Sequence, residues 1–140
     1  MTGPEDLFRA ALAARARAYA PFSRFPVGCA LRVATGAIFS GANVENQAYP
    51  EGWCAETSAI AAMVMAAERP EDRVIAEVLV AAEMEAPITP CGGCRQRLAE
   101  FGRPDTVVHS AGPEGLRESW TLAELLPAGF RTGWAGDAPR

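Results

Sequence analysis

Apolar residues near the start of the chain recur three or four positions apart, which places them on one face of a predicted helix: Leu7, Ala11, Ala14 and Ala18. Thr2 precedes this stretch as a candidate cap. Pro4 suits the first helical turn, where the N–H that proline lacks would have no partner. Pro21 is expected to end the helix. The pattern therefore predicts one amphipathic helix that packs its apolar face on a core.

Two short apolar stretches come next, at residues 27–34 and 37–40. Thr35 and Gly36 separate them, and a glycine-containing turn between two apolar runs favours a β-hairpin. Residues 43–53 are predicted to form a polar loop. This part of the chain is therefore expected to supply two antiparallel strands and the loop after them.

In the rest of the chain, stretches of helical and strand length alternate: helix 54–68, strand 74–82, helix 91–101, strand 106–110, and a short helix that Thr121 opens and Pro127 ends. Pro70 and Gly102 come directly after the two long helices and are expected to stop them. Residues 54–68 are rich in Ala and Met and are apolar on nearly every side. Both long helices are therefore expected to be well buried.

The predicted order is helix, hairpin, helix, strand, helix, strand, helix. Strands that alternate with helices predict an α/β protein, with a mixed sheet covered by helices on both faces in three layers, α/β/α. A length of 140 residues suits one domain with one core. We expect a single catalytic domain over residues 1–140, with 131–140 as a tail that frays.

Composition and charge restrict the choice of partners. The formal net charge is −4, and the thirteen basic residues, all Arg, form no cluster beyond close pairs. Proteins that bind nucleic acids usually carry a basic patch, so a small-molecule substrate is expected instead. No apolar run is long enough to span a bilayer, and the start of the chain lacks the pattern of a secretory signal. A cytoplasmic location with no membrane partner is therefore expected.

Three cysteines carry the candidate chemistry. Cys54 opens one predicted helix, and Cys91 and Cys94 open another with Cys-x-x-Cys spacing. Helix N-termini stabilise thiolates, which are the form of cysteine that binds zinc. Three protein ligands leave a fourth position for water, as in catalytic zinc sites. Glu56 lies two residues after Cys54, where its carboxylate can reach that water without binding the metal.

Two other interpretations of these cysteines remain open at this point. A structural zinc site needs a fourth ligand, for which only Cys29 or His109 is available, and both fall in predicted strands. A redox role for Cys91 and Cys94 leaves Cys54 and Glu56 without a purpose. A zinc-stabilised interaction module without enzymatic activity would likewise need a closed, four-ligand site.

Several stretches of sequence resemble the small homotetrameric cytidine deaminases, a zinc-dependent family. The matching stretches are 19–28 (YAPFSRFPVG), 43–46 (NVEN), 49–50 (YP), 54–56 (CAE), 90–96 (PCGGCRQ) and 125–127 (LLP). They occur in consistent order over roughly residues 10 to 130, and zinc deaminases generally share a glutamate two residues after the first ligand and a later Pro-Cys-x-x-Cys. The resemblance implies a mixed five-stranded sheet between helical layers.

The resemblance also implies the reaction. It is the hydrolytic deamination of cytidine and deoxycytidine to uridine and deoxyuridine, a step of pyrimidine salvage. One Zn²⁺ per chain would be held by Cys54, Cys91 and Cys94, and Glu56 would shuttle protons between water and substrate. Related deaminases that act on aminonucleoside antibiotics or free bases are alternatives, but the pair Asn43 and Glu45 favours a nucleoside.

The same resemblance implies the substrate-binding residues. Asn43 and Glu45 would hydrogen-bond the ribose, Phe25 would pack on the pyrimidine, and the backbone around Ala55 would help to hold the ring. Phe130 would reach the pocket of a neighbouring subunit. The resemblance therefore implies a homotetramer whose pockets are shared between subunits.

One position departs from the family pattern. The family usually has Arg directly after Cys-Ala-Glu, where this chain has Thr57. That Arg offsets the negative charge of three thiolates. Arg95 is the residue directly after the ligand Cys94, so we expect Arg95 to supply the charge compensation here, and to do so more than Arg97.

Overall fold

Helices and strands alternate along the part of the chain that the computed structural model describes, residues 3–130. The strands are β1 (Val27–Val33), β2 (Ile38–Ala42), β3 (Ile75–Ala82), β4 (Val107–Gly112) and β5 (Gly115–Thr121). The helices are α1 (Pro4–Arg15), α2 (Ala55–Ala66), α3 (Gly92–Phe101) and the single turn α4 (Leu122–Leu125). The candidate cap Thr2 and the tail 131–140 lie outside the described residues.

Within residues 3–130 the strands form one sheet in the order β2-β1-β3-β4-β5. β1 is antiparallel to both of its neighbours, β3 and β4 are parallel, and β5 returns antiparallel to β4. α3 provides the crossover that the parallel pair of strands requires. The predicted fold class, a mixed five-stranded sheet between helical layers, is confirmed.

α1 covers one face of the sheet. Its side chains Leu7 and Ala11 are fully buried in a cluster with Ala30 of β1 and Leu79 of β3. Pro4 occupies the first turn, as the sequence predicts. The apolar face of this helix therefore packs on the sheet in the predicted way.

The end of α1 differs from the prediction. The helix ends at Arg15 and not at Pro21. The chain leaves the helix early because the Tyr19 N–H donates to the Asn43 carbonyl at 3.0 Å, and this pairing requires extended backbone. The segment after α1 thus joins the loop after β2, and that loop lines the candidate site described below.

α2 and α3 cover the opposite face and enclose the larger core. Its members come from both helices and from the three central strands, among them Ala59, Met63, Leu98, Leu31, Val78, Val80 and Val108. α2 lies unusually close to β2 at Gly41, where an added Cβ would lie 2.5 Å from the Ala59 nitrogen. The absence of a side chain at Gly41 therefore sets the depth at which α2 sits on the sheet.

The two long helices are less buried than predicted. α2 buries one face, while the opposite face leaves Val64 exposed and Met65 86% exposed, because no described element of this chain covers it. α3 buries Cys94 and Leu98 and is otherwise partly or fully exposed. Although α2 is rich in Ala and Met, no helix within residues 3–130 combines the length and apolar composition needed to cross a membrane.

The sequence pattern missed β5. This strand lies at the edge of the sheet, and its middle residues Arg117, Glu118 and Ser119 are exposed and polar. An edge strand with a polar surface lacks the alternation that marks a half-buried strand. Its pairing with β4 places Ser119 opposite His109.

A row of polar side chains crosses the face of the sheet on which α1 lies. Glu77 accepts from the Arg32 Nε at 3.3 Å and contacts the His109 Nε2 at 2.7 Å. The other ring nitrogen of His109 contacts the Ser119 Oγ at 2.7 Å. Since both ring nitrogens have partners, this nearly buried histidine is a satisfied element of the sheet.

Replacing Gly41 with alanine tests the close contact between α2 and β2. Gly41→Ala should lower the free energy of unfolding by about 1–3 kcal/mol, because the new methyl group meets helix backbone that cannot move without shifting α2. Urea denaturation monitored by circular dichroism measures the change. Ser40 on the same strand is exposed, so the free energy of unfolding of Ser40→Ala should stay within about 0.5 kcal/mol of the parent value. Equal stability of the two variants would contradict the close-contact argument.

Candidate active site

Three cysteine sulfurs meet where α2 and α3 begin. Cys54 is the residue that caps the start of α2, Cys91 caps the start of α3, and Cys94 lies in the first turn of α3. The three Sγ atoms all lie within 4.8 Å of one another, and those of Cys54 and Cys91 are 3.8 Å apart. Two helix starts from distant parts of the chain therefore bring three potential thiolates to one point.

The arrangement fits a zinc ion. Sulfurs bound about 2.3 Å from zinc at the tetrahedral angle lie about 3.8 Å apart, and the Cys54 and Cys91 sulfurs are separated by 3.8 Å. Both helices also direct the positive ends of their dipoles towards the sulfurs. The donor set is soft, compact and electrostatically suited to a divalent cation.

The alternatives with a fourth protein ligand receive no support from the described residues. The metal-binding group that they form contains only the three cysteines. Cys29 is buried in the core of β1, and His109 has both ring nitrogens engaged elsewhere. Cys54 lies beside Cys91 and Cys94, as a metal ligand would, whereas a redox role for Cys91 and Cys94 would not require Cys54 there. The donor set therefore leaves one coordination position open.

The thiols share hydrogen bonds that favour ionisation of one of them. A hydrogen bond with Cys94 is the largest cause that lowers the pKa of Cys54, to about 6. Donating that bond raises the pKa of Cys94. Because metals bind thiolates, a first thiolate formed near neutral pH favours capture of the ion.

Glu56 lies in the first turn of α2, directly beside the sulfurs. It is only 4% exposed, and burial is the main cause that raises the pKa of its carboxyl group. The negative charge of Cys54 raises this pKa further, and the guanidinium of Arg97 opposes the increase. A carboxyl group with raised pKa exchanges protons more readily near neutral pH than an exposed glutamate does.

A cavity of about 600 Å³ opens beside this group. Its lining includes two of the three cysteines and most of the predicted substrate-binding residues: Cys54, Cys91, Glu56, Ala55, Phe25, Asn43 and Glu45. These residues come from separate stretches of the chain. The cavity therefore brings the candidate metal ligands, the candidate proton shuttle and the candidate binding residues to one place.

Hydrogen bonds fix two of the polar residues that line this cavity, Asn43 and Glu45. The Asn43 side chain accepts from the Val27 N–H at 2.8 Å and donates to the Phe25 carbonyl at 3.0 Å. Glu45 accepts from the N–H groups of Phe22 and Ser23 and from the Ser23 hydroxyl. The Ser23 hydroxyl is the largest cause that lowers the pKa of Glu45, so this side chain is a carboxylate at neutral pH.

Aromatic side chains that were not predicted from the sequence form a rim around the cavity. Trp53, Tyr49 and Phe22 line it, and the rings of Phe22 and Tyr49 pack edge to face at 5.7 Å. The Trp53 indole donates to the Ser58 Oγ at 2.7 Å, which fixes its orientation. A tryptophan directly before a candidate ligand is a clue to such a rim, because flat side chains beside a polar site often contact a ring-shaped ligand.

Phe130 does not line the cavity of its own chain. Its side chain is 74% exposed, while its backbone exchanges two hydrogen bonds with the Gln96 side chain at 3.0 Å. These bonds hold the last described residue against α3. The predicted contact with a neighbouring subunit concerns a partner chain and stays a prediction.

The prediction for Arg95 requires a correction. Its guanidinium donates to the Pro90 carbonyl at 2.8 Å, the Leu125 carbonyl at 2.9 Å and the Thr89 hydroxyl at 3.1 Å. The expected contact with a ligand sulfur is made instead by Arg97, whose Nη1 lies 3.6 Å from the Cys94 Sγ. Sequence adjacency was misleading because residues three apart on a helix share a face, whereas immediate neighbours do not.

The fold and site define a class of protein, a zinc enzyme of α/β/α architecture. Its three-thiolate metal site leaves a coordination position open and lies beside a buried carboxylate. The sequence profile of the cytidine and deoxycytidylate deaminase zinc-binding region matches residues 1–110. Cytidine deaminase from Sporosarcina psychrophila is 40% identical over 126 residues, which cover 90% of each chain.

Solved structures give the same result. Cytidine deaminase from Burkholderia pseudomallei superposes with a TM-score of 0.83 at 40% identity, covering 91% of this chain and 99% of that one. The enzyme from Mycobacterium tuberculosis superposes with a TM-score of 0.74 at 32% identity, covering 91% and 97%. The chain belongs to the cytidine deaminase family.

Removal of single thiols tests the metal site. Cys54→Ala, Cys91→Ala and Cys94→Ala should each lose bound zinc, because two thiolates cannot hold the ion against competing ligands. Elemental analysis of the purified variants measures the zinc content per chain. The matched control is Cys29→Ala, which removes a buried thiol outside the group and should retain one zinc. Full zinc content in any of the three ligand variants would remove that cysteine from the site.

Proposed function

We propose that this protein catalyses the hydrolytic deamination of cytidine and deoxycytidine to uridine and deoxyuridine, and thereby serves pyrimidine salvage. One observation carries the proposal: a buried glutamate, Glu56, adjoins a three-thiolate metal site in a cavity that also contains an ionised Glu45. The names of its relatives support the choice of cytidine. The proposed catalytic domain spans the chain as a single unit.

The proposed chemistry assigns proton transfer to Glu56. When bound by the three thiolates, zinc supplies a Lewis acid that activates water as the nucleophile. As the water oxygen bonds to C4 of the cytosine ring, the Glu56 carboxylate accepts the proton that the water loses and passes it to N3. Glu56 then transfers the remaining proton of that oxygen to the exocyclic amine, so that the C4–N bond breaks, ammonia leaves and a carbonyl group forms at C4. A raised pKa suits this residue to both accepting and donating protons.

The proposed binding mode uses the rest of the cavity. The Glu45 carboxylate has about four acceptor sites, three of which are used within the chain, so one is available to a ribose hydroxyl. Asn43 has a second amide hydrogen beyond the one donated to Phe25. Phe25 packs on the pyrimidine, and the backbone around Ala55 holds its polar edge. The ribose of a nucleoside thus forms hydrogen bonds with Glu45 and Asn43 that a free base, which has no ribose, would leave unmade.

We also propose that the active form is a homotetramer with shared pockets, located in the cytoplasm. The outer face of α2, with Val64 and Met65 exposed, is an apolar surface suited to a second copy of this chain. Phe130 is exposed at the end of the described chain, in a position to contact a neighbour. The four free cysteines are compatible with a reducing compartment.

Glu56→Gln tests the assigned chemistry. The variant should bind zinc and fold like the parent but lose several orders of magnitude in turnover, because an amide cannot accept and return a proton. Loss of cytidine absorbance in the ultraviolet measures turnover, and elemental analysis verifies the metal. Cytosine and an aminonucleoside antibiotic serve as comparison substrates. Near-normal turnover in the variant would refute the role of Glu56, and faster turnover of either comparison substrate by the parent would refute the proposed substrate.

Met65→Lys tests the proposed assembly. A charge on the outer face of α2 should break a subunit contact there, so light scattering should show smaller particles than the parent at assay concentration. The KM for cytidine should rise if neighbouring subunits complete the pocket. Leu116→Lys is the matched control, because it places the same charge on an exposed apolar residue at the opposite edge of the sheet. A parent that is active and monomeric would contradict the proposal.

A further inference from the structure

The guanidinium of Arg97 folds back over the first turn of α3. Its Nη1 donates to the Sγ of Cys94 at 3.6 Å, across the i, i+3 spacing of the helix. Cys94 is the most buried of the three candidate ligands, with 0% exposure. A cation from the exposed side of α3 therefore contacts the sulfur that water reaches least.

Gly93 gives this guanidinium its space. A Cβ added at Gly93 would lie 3.0 Å from Nη1, 3.7 Å from Cζ and 3.8 Å from Nη2 of Arg97. Three atoms of the Arg97 guanidinium thus lie within contact distance of the position that a Cβ at residue 93 would occupy. The arginine and the glycine form a matched pair, since even a methyl group would displace the guanidinium by a few tenths of an ångström.

A nearby positive charge would stabilise this site, because the metal with its ligands is negatively charged. A divalent ion with three thiolates has a net charge of −1, and an ionised Glu56 adds a further negative charge beside it. Buried charge is costly unless it is paired, and helix N-termini supply only partial compensation. The guanidinium of Arg95 is directed elsewhere, because it donates to the Thr89 hydroxyl and to the Pro90 and Leu125 carbonyls.

The two helices that supply ligands differ at the position one turn after the ligand. Arg97 lies three residues after Cys94 in α3, whereas Thr57 lies three residues after Cys54 in α2. The Thr57 hydroxyl is buried and has no hydrogen-bond partner among the described residues. The Thr57 side chain carries no charge. Of these two positions, each three residues after a ligand, only that of Arg97 in α3 therefore supplies a positive charge.

We infer that Arg97 is a positioning residue of the metal centre, whose guanidinium stabilises the Cys94 thiolate and thereby strengthens zinc binding. The inference rests on the zinc site of the proposed function and does not depend on which nucleoside is the substrate. Its consequences appear in metal affinity and in the metal–sulfur electronic spectrum, both of which are measured without substrate.

Arg97→Gln tests the inference, with zinc affinity measured by competition against a chromophoric chelator. The variant should bind zinc on the order of tenfold to a hundredfold more weakly than the parent. In the cobalt-substituted protein its thiolate-to-metal charge-transfer band should shift to lower energy, because the sulfur loses a hydrogen bond. Arg97→Lys keeps the charge without the planar fork, so its affinity should lie between the two. Arg9→Gln, on α1 at the opposite face of the sheet, removes the same charge and should match the parent.

Gly93→Ala provides a second, independent variant. It keeps every charge, and its methyl group displaces the guanidinium, so it should weaken zinc binding and shift the cobalt band in the same direction as Arg97→Gln, by a smaller amount. Should Arg97→Gln fail to fold, Gly93→Ala decides by the same two measurements. Zinc affinity and a cobalt spectrum equal to those of Arg9→Gln would overturn the inference. Loss of cytidine turnover with unchanged zinc affinity would also overturn it, without affecting the proposed reaction.

Discussion

The meeting of three sulfurs at two helix starts is the constraint on which the rest of this structure depends. Cys54 belongs to the start of α2, whereas Cys91 and Cys94 belong to α3, and the chain passes through β3 between these two helices. A separation of 3.8 Å between the Cys54 and Cys91 sulfurs tolerates little movement of either helix. The sheet supplies the required rigidity: Gly41 lets α2 sit deeply on β2, and Leu98 anchors α3 in the same core. Arg95, which ties the start of α3 to the Leu125 carbonyl, belongs to this supporting structure.

Burial of the site also makes its negative charges costly. Burial raises the pKa of Glu56, which favours proton exchange near neutral pH but makes the carboxylate costly beside thiolates. Positive charge must therefore be close to the sulfurs without entering the cavity where substrate binds. A guanidinium that reaches Cys94 from the outer side of α3 meets both requirements, because Arg97 is absent from the lining of the cavity.

The sequence was sufficient for features that depend on local chemistry. The hairpin around Gly36, the helix starts at Cys54 and Cys91, and the short helix that Thr121 opens all depend on neighbouring residues and occur as predicted. Features that depend on distant contacts were missed. The polar edge strand β5 is specified by its pairing with β4, and the early end of α1 by the pairing of Tyr19. For a long side chain such as Arg95, carbonyls from two other segments decide its direction, and sequence adjacency does not reveal them.

The metal site and the rim of the cavity differ in exposure, which indicates that they have different roles. One chain brings the three sulfurs together with Glu56 and Arg97 beside them, so we expect a single folded subunit to be able to bind the metal. The outer rim is different: Tyr49 and Trp53 line the cavity but are exposed, and Phe130 has its side chain in solvent. Aromatic surface of this kind gains stability when another chain covers it. In the proposed assembly, neighbouring subunits would therefore close the nucleoside cavity without altering the zinc ligands. Metal affinity should then be a property of the subunit, and substrate affinity a property of the oligomer.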